Sequence, residues 1–295
     1  MQRRQFLQTS AALASTPFLS RPVFANAPQH YLDTIGLQLW TVRNQMQEDA
    51  AATIKTVADA GYKQVELMNV MDSADVVSLA KDNGMQVTSA FLDWQALGNP
   101  TNKNAPSADA ILERAKSFGL RHLVFGYIGK GHRETADQFK GHAERANAFG
   151  EKCQAAGIQL CYHHHSFEFK PLADGKTTGF DVFVREFDPQ LCKFEIDVFW
   201  VAIGGRNPMK VLRELKGRVS QVHLKDLLKG TKTIYDEGQV PHAAFEELGD
   251  GTINMSRVMQ VAKKIGVEQC HVEQDQSPAP LKSIVQSLKH LKSQS

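Results

Sequence analysis

The chain has 295 residues, 34 of them basic and 32 acidic, for a formal net charge of +2. That balance, without a long run of like charge, excludes a nucleic-acid track, and the length suits one large α/β barrel or two small domains. The four cysteines, Cys153, Cys161, Cys192 and Cys270, show no CxxC spacing, which excludes a zinc ribbon and makes them small buried hydrophobes.

At the start of the chain, Arg3-Arg4 precede Phe6-Leu7, an Ala/Ser/Thr-rich apolar run extends to Leu19, and small residues stand at Ala25 and Ala27. This is the pattern of a twin-arginine export signal, expected over residues 1–25 with cleavage after Ala25. The run is too short and too interrupted to span a membrane. Residues 26–295 are then expected to form a soluble periplasmic domain without membrane insertion, exported folded and with any cofactor already loaded.

From Ile35 onward, short apolar runs alternate with longer helical patterns. Strands are expected at Ile35 to Leu39, Val65 to Leu67, Met85 to Ala90, His122 to Phe125, Gln159 into the histidine run, Lys193 to Ile196, Val219 to Leu224 and Gln269 to Val272. Helices are expected at Glu48 to Ala60, from Asp72-Ser73 to Asn83-Gly84, Ala108 to Phe118, Glu134 to Ala156, Phe180 to Phe187, Pro208 to Leu215, Met255 to Ile265 and from Leu281. Gly61, Gly119, Gly157 and Gly266 stand at helix stops. Eight strand and helix pairs predict a single-domain (β/α)8 TIM barrel, and the lack of GxGxxG after the first strand argues against a dinucleotide fold. The connection Asp226 to Asn254, rich in Gly and polar residues, is long for a plain loop and predicts a lid or a wall of the site.

Active sites of such barrels lie at the C-terminal strand ends, where this chain gathers its polar residues. The fifth strand runs into His163-His164-His165 and Glu168, the sixth ends at Asp197, the seventh at His223 and the eighth at Glu273. Three oxygen donors and one nitrogen suit one divalent ion, Mn2+ first, then Zn2+, Co2+ or Mg2+. Such an ion polarises a sugar carbonyl and acidifies the neighbouring C–H.

The segments IGLQLW, YHHHSFEF, EIDVFW, VHLKD, ELGDGTI and HVEQD, in this order from about Ile35 to Asp275, resemble the sugar phosphate isomerase/epimerase family of the xylose isomerase-like TIM-barrel superfamily. By similarity to its ketose 3-epimerases, Glu168, Asp197, His223 and Glu273 hold the metal, and Glu168 and Glu273 move the proton, one on each face of an enediolate. A histidine beside Glu168 is the alternative ligand. Glu66, His163, His165 and Lys225 are expected to bind substrate, and Trp40 and Trp200 to stack on a sugar ring.

The resemblance implies a metal-dependent sugar or keto-sugar isomerase/epimerase. No Gly-rich phosphate site is evident, so a free or glycosidic keto-sugar is the expected partner. The same ion and acid pair can instead drive β-elimination, as a 3-keto-glycoside lyase, and a sugar-binding barrel without turnover is a third reading. The endonuclease IV type of the superfamily needs more ligands than four strand ends provide, and a basic track that a net charge of +2 does not supply.

Overall fold

The structure, a computed structural model, describes residues 31–99 and 101–294. The expected export signal, residues 1–25, lies outside the described residues. Among them no helix is long and apolar enough to cross a membrane.

Eight parallel strands close into a barrel. They are, in chain order, Gly36–Gln38, Gln64–Leu67, Gln86–Phe91, His122–Phe125, Gln159–His163, Cys192–Asp197, Val219–Leu224 and Gln269–Val272, the last returning to the first through Gly36 opposite His271. Helices pack outside, on the faces where Ile54, Val57, Ile111, Phe139, Val258 and Leu288 meet the outward strand residues in one apolar core. Helix ends follow the local chemistry of the sequence. Asp49, Ser107 and Asn254 cap exposed amides, Thr135 and Thr178 form capping boxes with Gln138 and Asp181, and Gly61, Gly119 and Gly266 take the left-handed conformation at the stops. All four cysteines are buried and unpaired, as expected.

Two departures matter for the site. The expected helix from Glu48 is broken, because Asp49 is extended and caps a new helix at Ala50–Ala60 behind a short one at Arg43–Glu48. An unexpected helix, Val198–Ile203, follows the sixth strand, and Oδ1 of Asp197 accepts its first amides from Phe199 and Trp200 at 2.9 and 3.1 Å.

The long connection after the seventh strand is a wall with its own small core. Residues Asp226–Leu227 and Phe245–Glu246 form a two-stranded antiparallel ladder, and Leu227, Val240 and Phe245 pack on Phe199, Trp200 and Ile203. Asp226 organises the connection, since its buried carboxylate accepts from the amides of Leu227, Gly249, Gly251 and Ile253 at 2.9 to 3.2 Å. A side chain at Gly251 would put Cβ 2.3 Å from Asp226 Oδ1, so only glycine lets the backbone come this close.

Candidate metal centre

Side-chain parity along the strands decides what faces the bore. His163 pairs with Glu195, Asp197 with His223, and His223 with His271; residues paired across a sheet share a face, so these point inward together. At the C-terminal end of the bore His163, Asp197, His223 and Glu273 are buried, with one ligand atom from each within 4.8 Å of the others. Oε2 of Glu273 lies 2.8 Å from His223 Nδ1, and Oδ2 of Asp197 lies 3.5 Å from His163 Nε2 and 3.8 Å from His223 Nδ1.

These residues fit a divalent cation. Neither ring nitrogen of His163 is hydrogen-bonded, and Asp197 Oδ2 is met only by the Lys225 ion pair and the looser approaches of His163 and His223. Polar atoms buried without partners cost on the order of 1–3 kcal/mol each, and two imidazoles with two carboxylates are donors that such an ion satisfies. The tautomer of His223 is set from behind, where Nε2 lies 2.7 Å from Glu66 Oε2. Glu66 is itself held by Gln38 Nε2 at 2.8 Å and Ser89 Oγ at 2.6 Å, a carboxylate behind the metal-facing histidine.

Lys225 joins the cluster to the open space above it. Its buried ammonium lies 2.5 Å from Asp275 Oδ1, 2.9 Å from Glu273 Oε2 and 3.1 Å from Asp197 Oδ2. Burial opposes the charge, but these three carboxylates outweigh it and hold the lysine protonated well above its ordinary range. Burial likewise favours protonation of Glu273, yet Lys225 and His223 together pull it down to about 2. Asp275 shows the opposite balance, with burial outweighing Lys225 and pushing it up to about 6.

Above the cluster is a cavity of about 620 Å³. His163, His165, Lys225, Glu273 and Asp275 line its floor, Phe91, Trp94, Tyr127 and Trp200 its sides, and Trp40 and His242 its rim. Glu237, Val240 and Phe245 of the long connection form part of the wall, in keeping with the expectation for residues 226–254. That wall is tied across the cavity, where Glu237 Oε1 accepts from Arg133 Nη2 at 2.7 Å and from Tyr127 OH at 2.9 Å.

The Xylose isomerase-like TIM barrel family profile matches residues 54–294. The chain belongs to this family. An inosose dehydratase of Clostridium perfringens is 28% identical over 266 residues, covering 81% of this chain and 88% of the relative. Two solved structures share the fold. A sugar phosphate isomerase/epimerase from Parabacteroides distasonis has a TM-score of 0.71 at 23% identity, covering 88% of this chain and 94% of its own. An L-ribulose 3-epimerase has a TM-score of 0.60 at 14% identity, covering 88% and 93%. The xylose isomerase-like barrel here thus shares its fold with proteins named as sugar isomerases and epimerases.

Within this family frame the structure brings together three of the four metal ligands expected from the sequence, Asp197, His223 and Glu273, and puts His163 in the fourth place. Glu168 is elsewhere. Tyr162 points outward against Phe183 and Phe187, and the turn at Phe167–Phe169 carries Glu168 back onto that outer side. There its oxygens accept from Tyr162 OH at 2.6 Å and His165 N at 2.9 Å, and burial raises its carboxyl to about 8. Glu66, expected to touch sugar hydroxyls, does not line the cavity; it is wholly buried below, against His223. His165, Lys225, Trp40 and Trp200 do line it. Asp275, Tyr127 and Glu237 were not foreseen, although Asp275 follows Glu273 at the interval of two that keeps a strand residue on the same face.

Proposed function

We propose that the protein is a divalent-metal-dependent dehydratase acting on a polyhydroxylated ketone such as a keto-sugar or a keto-cyclitol, by proton removal beside the carbonyl and loss of a β-oxygen. The observation that carries this reading is the departure of Glu168 from the cavity, which removes one of the two carboxylates that a two-faced proton exchange requires. Glu273, Lys225 and Asp275 remain together, all from the seventh and eighth strands. The name of the C. perfringens relative supports the same class.

His163, Asp197, His223 and Glu273 would hold the ion, which when bound supplies Lewis-acid polarisation of the carbonyl. Two imidazoles in place of one move the proposed ion from manganese toward zinc or cobalt. Glu273 takes the C–H proton. Its contacts to His223 and Lys225 fall on Oε2, which leaves Oε1 for that task. The electron pair forms the new C=C bond as the β C–O bond breaks. Lys225, with Asp275 behind it, gives the departing oxygen its proton, so the net change is loss of one water or alcohol. The aromatic sides and the wall of the long connection exclude bulk water from the developing charge.

A second reading, epimerisation, is favoured by one feature: His165, two residues past the fifth strand, lines the cavity with Nδ1 unpartnered, as Glu273 also lines it. Incubating the metal-loaded protein in D2O with keto-inositols, keto-hexoses and 3-keto-glycosides separates the two. Elimination gives a conjugated enone and free water or aglycone; epimerisation gives deuterium at one stereocentre of an intact sugar. Neither change in any compound would overturn both and leave a binding barrel. The export signal expected from the sequence over residues 1–25 leads us to propose a periplasmic place of action, tested by fractionating cells that carry an Arg3→Lys, Arg4→Lys double variant.

A further inference from the structure

Beneath the candidate centre lies a second convergence of ligating groups. Glu66, Glu195, His223 and His271 are wholly buried, with one ligand atom from each within 4.8 Å of the others. Glu195 and His271 stand two residues before Asp197 and Glu273 on the same strands, so this set lies roughly 6–7 Å deeper in the bore. We propose that it is a second divalent-cation site, sharing His223 with the upper one.

Three observations carry the proposal. Both oxygens of Glu195 and both ring nitrogens of His271 lack any hydrogen-bond partner, although neither side chain is exposed at all. Glu195 Oε1 lies 3.3 Å from His223 Nε2 and 4.0 Å from His271 Nδ1. The cradle is also built for these groups: Gly36 has no side chain where the His271 ring lies, and a Cβ there would fall 2.2 Å from Cδ2 of that ring. Glu66 is fixed in place by Gln38 and Ser89.

The third is the pair of carboxylates. Glu66 and Glu195 are both wholly buried, with an oxygen of each within 4.8 Å of the other, and a divalent cation between them offsets the cost of burying two like charges together. Two carboxylates and two imidazoles suit zinc, cobalt or manganese.

The test is to saturate the full chain with Zn2+, remove excess by gel filtration, count zinc per chain and collect anomalous diffraction at the zinc edge. Two ions per chain are expected, one beside each ring nitrogen of His223. Glu195→Gln, which keeps the side-chain shape, should fall from two to one and keep the upper ion. One upper ion in the wild-type map with water between Glu195 and His271, a second ion outside this set, or a Glu195→Gln protein that still holds both would overturn the proposal. A single ion in the lower set alone would instead sink the upper centre. The wild-type map stands even if the variant does not fold.

Discussion

Replacing Glu168 by glutamine separates a metal-binding role from a structural one, because the two roles assign opposite results. Glu168 is wholly buried, and its two oxygens meet one donor each, Tyr162 OH at 2.6 Å and His165 N at 2.9 Å. Burial raises its carboxyl from 4.5 to about 8, so at neutral pH the folded protein holds it protonated. The protonated acid can donate to the Tyr162 oxygen and still accept from the His165 amide, and a glutamine side chain reproduces that pattern. Glu168→Gln should therefore cost no more than about 1 kcal/mol near pH 6 and leave the metal content unchanged. The alanine variant removes both acceptors and opens a cavity, for roughly 3–5 kcal/mol. The pH dependence has a definite sign. A carboxyl raised in the folded state makes folding take up a proton, so its contribution is fully present below about pH 4.5 and is lost as pH rises toward 8. At about 1.4 kcal/mol per pH unit this spans at most roughly 5 kcal/mol. The glutamine variant lacks that term and should gain on the wild type between pH 6 and 9. Urea unfolding at several pH values, with metal analysis of each sample, measures all of this. Loss of metal in Glu168→Gln, or a parallel pH dependence in both proteins, would refute the reasoning.

His163→Gln should lower divalent-metal affinity by at least about 100-fold while leaving unfolding of the metal-free protein nearly unchanged, since the ring makes no hydrogen bond; chelator competition reads the first and denaturant unfolding the second. Lys225→Met removes the cation shared by Asp197, Glu273 and Asp275. In the presence of EDTA this should destabilise the fold by roughly 3–5 kcal/mol, with part of the loss recovered on adding metal, and equal losses with and without metal would contradict it. Glu237→Gln leaves the nearly buried guanidinium of Arg133 without its carboxylate and loosens the cavity wall. KM for a keto-sugar substrate should rise about tenfold with kcat less affected, and a change confined to kcat would place Glu237 in the chemistry instead.

The barrel is legible in the sequence because its signals are local and repeat: an apolar run, a capping residue, a helical pattern and a glycine. The helix Val198–Ile203 escapes that reading because it is buried on both sides, by the barrel and by Val240 and Phe245, so VFWVAI has no polar face to show a period. Asp197, His223 and Glu273 could be placed because each lies within one residue of the end of a regular strand and follows its parity. Glu168 could not. It follows the fifth strand by a bend and a three-residue turn, where no period links sequence position to direction, so similarity of motif placed the carboxylate correctly along the chain and wrongly in space. His163 had the better claim on strand parity, since it is the last residue of the strand. Asp226 was visible only as a member of VHLKD; its role needs the amides of Gly249, Gly251 and Ile253, more than twenty residues away.

The bore explains why these groups can be held with little freedom. Barrels of this type commonly fill the interior with layers of branched apolar side chains, whereas here Gln38, Gln64, Glu66, Glu195, Gln221, Gln269 and His271 are buried. Thr88 Oγ1 lies 2.7 Å from Gln64 Oε1 and 3.0 Å from Gln269 Oε1, and Gln221 Nε2 donates to Ser89 Oγ at 3.0 Å. Such an interior adds little hydrophobic stabilisation, which falls instead to the outer core between strands and helices. What it adds is direction: Glu66 is fixed by Gln38 and Ser89, and Glu66 in turn fixes the ring of His223. Side chains held this way have little freedom to turn toward one another, so the orphaned atoms of His163, Glu195 and His271 carry a standing cost that a bound cation would relieve. On the proposed reading, folding and metal binding would be coupled through the same residues, and the coupling would follow from the polar bore rather than from any one ligand.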